Sequence, residues 1–122
     1  MFNIDANEID DGSLDDAVLV CRGGSCLVKA FQNGIGVTLD ADGKLQNVSV
    51  TAAPGRTLAD LSTTLRHSNV GSTTVGDNRG AGGDVIPDAK GPINPFHCLI
   101  QGTTPIQAET LFTPTVPNPN RP

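Results

Sequence analysis

The chain has 122 residues, room for one small domain and not two. It carries 8 Lys+Arg against 13 Asp+Glu, a formal charge of −5, with no Trp and no Tyr. An RNA-binding sheet paved with stacking aromatics is therefore unlooked for. No apolar run approaches the roughly 18 residues needed to span a bilayer. The N-terminus lacks the basic and apolar regions of a signal peptide, so no membrane partner and a cytoplasmic location are expected.

The charge is unevenly placed. Asp5, Glu8, Asp10, Asp11, Asp15 and Asp16 hold six of the acids, and the first basic residue is Arg22. Residues 1–16 thus read as an acidic arm: a solvated face, or a strap that lies over a cationic cleft and competes with an anionic ligand.

Ser13-Leu14-Asp15-Asp16 has the Ser-x-x-acid form of a helix N-terminus. Ala17–Cys21 follows as an apolar run whose Val18 and Val20 favour a strand, broken by Arg22-Gly23-Gly24. Ser25 is placed to cap a short helix through Phe31, ended by Asn33-Gly34. Ile35–Leu39, a turn at Asp40-Ala41-Asp42-Gly43 and Leu45–Val50 form a β-hairpin, with a bulge expected near Gln46-Asn47. The Asp-rich turn lacks the remaining ligand positions of a calcium loop. Thr57 is placed to cap a helix from Leu58 to Leu65. Val70–Val75 reads as a strand, Gly76–Gly83 as a glycine-rich loop with room for one helical turn, Asp84–Ile86 and Phe96–Ile100 as strands. Thr104-Pro105 starts a helix that runs to about Phe112. Residues 113–122, with four prolines, form an extended tail. The sum is one α+β domain over residues 17–112, a mostly antiparallel sheet with short packed helices.

Cys21, Cys26 and Cys98 are an odd set, which argues for free thiols in a reducing compartment. With His97 they make a poor zinc set, because neighbours on a strand point to opposite faces. No metal and no cofactor is expected, and buried small hydrophobes describe these thiols better.

The residues able to carry chemistry are few. His97 sits within an apolar strand, and imidazole moves protons near neutrality; a hydrogen-bonded structural histidine is the alternative. His67, at a predicted helix end, reads as a surface residue. Arg22 beside two glycines lets a phosphate approach bare backbone. Ser72 and Thr74 share one strand face and Thr73 takes the other, offering hydroxyls to a phosphate or ribose. Arg79, in the glycine-rich loop, is a second cation, and Lys90 a weaker third. A P-loop, a dinucleotide fingerprint and a nucleophile elbow are all missing.

Several blocks form a set: Val20-Cys21-Arg22-Gly23-Gly24-Ser25-Cys26, Gly34-Ile35-Gly36-Val37, residues 43–50, Val70-Gly71-Ser72-Thr73-Thr74-Val75-Gly76, Asn94-Pro95-Phe96-His97-Cys98 and Leu111-Phe112-Thr113-Pro114-Thr115-Val116. Over about residues 18–120 the chain resembles a family of small bacterial proteins, notably cyanobacterial, that also occur as C-terminal tails of repeat-containing polymorphic toxins. The resemblance implies a compact toxic enzyme, a nuclease or ADP-ribosyltransferase, neutralised by an immunity protein.

Three functions fit these residues. The first is a metal-independent ribonuclease toxin: His97 as base or acid, Arg22 and Arg79 on the scissile phosphate, Thr73 or Thr74 bonding the phosphate or 2′-hydroxyl. The second is an ADP-ribosyltransferase-like enzyme, with Arg22 on the pyrophosphate of NAD, the Ser72–Thr74 hydroxyls at the nicotinamide and Glu109 as the late acid. The third is a binding or antitoxin-like module whose acidic arm mimics nucleic acid. The expected partners are an RNA substrate and a cognate immunity or antitoxin protein.

Overall fold

The computed structural model describes residues 13–34 and 36–121. Most of the acidic arm, and Ile35 of the expected hairpin, lie outside the described residues. The strands are β1 (Leu19–Gly23), β2 (Thr38–Leu39), β3 (Leu45–Gln46), β4 (Val48–Ala52), β5 (Asn69–Thr74), β6 (Asp84–Pro87), β7 (His97–Gln101) and β8 (Val116–Pro117). The helices are α1 (Val28–Asn33), α2 (Leu58–Leu61), α3 (Val75–Gly80) and α4 (Pro105–Phe112).

Six strands make one antiparallel sheet in the order β6-β7-β4-β1-β5-β8, and β2-β3 is a separate hairpin. The α+β expectation therefore holds. Asn47 has a positive φ of 52°, so the run Leu45–Val50 does not stay one strand. Its first half pairs in the hairpin and its second half turns into the main sheet. Asp40 fastens the hairpin turn through Oδ1, which accepts from the Asp42 and Lys44 amides at 2.8 and 3.0 Å.

Alternation along β1 divides the core. Val18 and Val20 face one side with Val50, Ala52, Ile100, Phe31 and Phe112, while Cys21 faces the other with Leu61 and Val70. On the first side α1 and α4 meet through Phe31 and Phe112, whose ring centroids lie 5.8 Å apart. Each such ring, fully buried, contributes about 1.5–3 kcal/mol of apolar transfer. All three cysteines are buried and free, and burial pushes the Cys21 thiol up to about 12.

Several expected boundaries move. No helix begins at Ser13; Asp16 and Ala17 instead form a turn, closed by the Val18 amide on the Asp15 carbonyl, and the Asp16 carbonyl accepts from Gly76. Helix α1 starts later than Ser25, with Leu27 at its N-cap and no side-chain cap. Thr57 does cap α2, in a full capping box with Asp60, yet α2 stops at Leu61. The hydroxyls of Ser62 and Thr63 turn back onto the Leu58 and Ala59 carbonyls, and three successive short hydroxyl residues favour turns over continued helix. The glycine-rich segment is ordered as α3, capped by the Thr74 hydroxyl. Thr104 and Gln107 form the capping box of α4. The proline-rich tail adds β8 to the edge of β5, and buried Asn118 donates to the Leu65 and His67 carbonyls at 3.2 and 2.9 Å.

Candidate functional site

The site arises from a split in the sheet. The β1–β4 ladder ends at Cys21↔Thr51. Beyond that pair β1 continues with β5 to Gly23↔Val70, and β4 continues with β7 to Val48↔Ile100. Two central strands thus diverge while each keeps its outer neighbour. At the divergence lies a cavity of about 500 Å³ whose walls include Arg22, Ser49, His67, Asn94 and His97. That is within the range of small-ligand sites.

Arg22 is directed there by alternation with Val20. Its guanidinium carbon lies 5.3 Å from the Phe31 ring centroid, and its Nη1 donates to the Ser49 carbonyl at 2.6 Å. That bond takes the place of the ladder bond that the diverging strands do not make. No carboxylate is paired with Arg22 among the described residues. Burial pulls its guanidinium below the ordinary value, and its Nε is buried without a hydrogen-bond partner. Asn94 Oδ1, on another wall, is likewise buried and unpartnered. Groups left so cost about 1–3 kcal/mol each.

His97 reaches the cavity from the opposite face. It pairs with Thr51 across β4 and β7, so Ser49 is its diagonal neighbour on the same face. His97 Nε2 lies 3.0 Å from Ser49 Oγ. Nδ1 lies 2.8 Å from the Asp88 carbonyl and 3.1 Å from Asp88 Oδ2. Both Nδ1 partners are acceptors, so Nδ1 carries the proton of the neutral ring and Nε2 offers a lone pair to the Ser49 hydroxyl. Lys90 Nζ, 3.0 Å from Asp88 Oδ2, holds that carboxyl below its usual range, with a smaller contribution from His97.

His67 is exposed, as expected, but it forms a wall of the same cavity. It lies over the Gly23-Gly24 backbone; a Cβ on Gly23 would collide with its Nδ1. The Asn118 amide donates to its backbone carbonyl at 2.9 Å.

Arg22 and His97 are therefore brought together. Thr73, Thr74 and Arg79 are not among the residues that line this cavity. Thr73 is buried in β5. Thr74 Oγ1 caps α3 through the Asp77 amide at 3.1 Å. Arg79 is paired with Asp16 at 2.8 Å and Asp84 at 3.0 Å, so the described part of the arm engages that cation and not Arg22. Ser72 and Glu109 are also away from the cavity walls. Lys90 serves Asp88. Cys98 turns away from His97 and donates to the Ala52 carbonyl at 3.5 Å. Ser49, Asp88 and Asn94 were missed by sequence reasoning. The available signal was the apolar-polar-apolar pattern Val48-Ser49-Val50, which places Ser49 opposite the core, but nothing local pairs it with His97.

No family model matches the chain, and neither a curated protein nor a solved structure is significantly similar to it.

Proposed function

We propose that the chain is a metal-independent ribonuclease of toxin type, working in the cavity between β1 and β4. The observation that carries the reading is the shared cavity: an imidazole with an oriented lone pair, and a cation paired with no carboxylate among the described residues, line the same space. In this reading His97 Nε2 takes the proton of a ribose 2′-hydroxyl. The 2′-oxygen attacks the phosphorus and the bond to the 5′-oxygen breaks, with His67 returning a proton to the leaving oxygen. Arg22 binds the phosphate and the charge that grows on it. The roles of Thr73, Thr74 and Arg79 fall away from this mechanism because they lie elsewhere. The same placement weakens the NAD-using alternative, whose hydroxyls and Glu109 do not share the cavity with Arg22. The resemblance to toxin tails adds an immunity protein as the expected partner.

The test is incubation of the purified protein with total RNA in EDTA, with and without NAD, beside a folded His97→Ala variant. Cleavage that needs neither metal nor NAD and falls by about 10²–10⁴-fold in the variant is expected. Intact RNA with NAD consumed would replace the reading by the transferase. Intact RNA and intact NAD would replace it by the binding module.

A further inference from the structure

Ser49, His97 and Asp88 stand in series. Ser49 Oγ is 3.0 Å from Nε2, and Asp88 Oδ2 is 3.1 Å from Nδ1. The Asp88 carbonyl, at 2.8 Å from Nδ1, fixes the same tautomer. Ser49 is exposed, so its hydroxyl is open to a ligand while it donates to the imidazole. Hydroxyl, oriented base and carboxylate at hydrogen-bond reach are the arrangement that activates a serine, recognised by geometry and not by position in the chain. A cation stands beside it: Arg22 Nη1 donates to the carbonyl of Ser49 itself, and no carboxylate among the described residues neutralises that guanidinium.

We propose that Ser49 is a nucleophile toward phosphoryl centres, with His97 as its base, Asp88 as a positioning residue and Arg22 on the charged phosphoryl oxygens. The substrate class is phosphodiesters, including those with no neighbouring hydroxyl, since the protein supplies the attacking oxygen. In the covalent step the Ser49 Oγ–P bond forms and the bond from phosphorus to the leaving oxygen breaks. The serine proton passes to His97 Nε2 and from there to the leaving oxygen; water then hydrolyses the phosphoseryl ester. This proposal shares the cavity with the RNA reading but not its nucleophile, so the two fail separately.

The probe is a fluorophosphonate ester. Ser49 Oγ displaces fluoride, which leaves with the P–F electron pair, and the proton goes to His97 and then to solvent. Intact-mass and peptide mass spectrometry read the adduct. One adduct per chain, on Ser49, is expected in the folded protein and absent in urea. Labelling should slow at least tenfold in His97→Gln and in Asp88→Asn, with Asp88→Glu recovering part of the rate; circular dichroism establishes that each variant is folded. An adduct elsewhere, no adduct, or unchanged labelling of folded His97→Gln overturns the proposal. In parallel, Ser49→Ala is tested on an RNA and on its 2′-deoxy analogue. Wild-type cleavage of RNA alone by Ser49→Ala removes Ser49 as nucleophile and leaves the ribonuclease standing. A Ser49 adduct with intact RNA does the reverse.

Discussion

Arg22→Met separates a residue kept for structure from one kept for an anion. The substitution retains most of the apolar stem and removes the charge that lies over Phe31. It loses a charge-assisted hydrogen bond to the Ser49 carbonyl, worth about 1.5–3 kcal/mol, and a cation–π contact worth about 0.5–1 kcal/mol. It recovers the desolvation of a partly buried guanidinium paired with no carboxylate among the described residues, several kcal/mol for a fully buried ion and about 2–4 kcal/mol here. The terms nearly cancel, so equilibrium urea unfolding followed by circular dichroism should place the variant within about 1 kcal/mol of the native chain. Inorganic phosphate then supplies the second reading. At ten times its dissociation constant phosphate stabilises the native chain by about 1.4 kcal/mol, and it should leave Arg22→Met unchanged. A loss above about 3 kcal/mol would mark Arg22 as structural. An equal response to phosphate in both proteins would place the anion elsewhere.

Gly71→Ala should destabilise by about 2–4 kcal/mol in the same unfolding assay. Its Cβ would collide with the Phe112 carbonyl and lie 2.9 Å from Cys26 Sγ, and backbone cannot swing aside as a side chain can; a change under about 0.5 kcal/mol would refute the packing argument. Stability should also fall in alkali. Folding raises the buried Cys21 thiol from the ordinary 9.0 to about 12, chiefly by desolvation, so between those values the folded state binds more protons than the unfolded one. Its contribution is complete below pH 9 and is lost toward pH 12, at up to about 1.4 kcal/mol per pH unit. Thermal unfolding between pH 8 and 11 should show that decline, and Cys21→Ala should lessen it without removing it, because burial also pushes the Cys26 and Cys98 thiols up.

Local structure was legible where a residue and its immediate neighbours decide it. The Thr57 and Thr104 caps and the Asp40–Gly43 turn rest on side chains within a few positions of the backbone they bond, whereas the expected strand at Ala17–Cys21 lies at Leu19–Gly23, carried through the expected break at Arg22-Gly23 by pairing with β5. Helix length was less so. Leu58, Leu61 and Leu65 have helical spacing, yet the Ser62 and Thr63 hydroxyls end α2 after Leu61. The break at Asn47 was visible as a bulge, but not as the point where one run leaves the hairpin for the main sheet.

By itself the sequence determined the α+β class and the buried cysteines, and it singled out Arg22 and His97 as candidates, because composition, alternation and capping are short-range. Tertiary structure alone decided which groups meet. Alternation puts Arg22 and His97 on opposite faces of one sheet, and only the divergence of β1 from β4 gives both of them the same cavity. Register places Ser49 diagonal to His97 across 48 positions of chain. Asp88 reaches the same ring because β6 pairs with β7. Thr74 and Arg79 looked equally suited to a phosphate, but α3 takes the one as its cap and two carboxylates take the other. A side chain's chemistry is written in its residue; its partners depend on strand register, which contacts across the whole chain set.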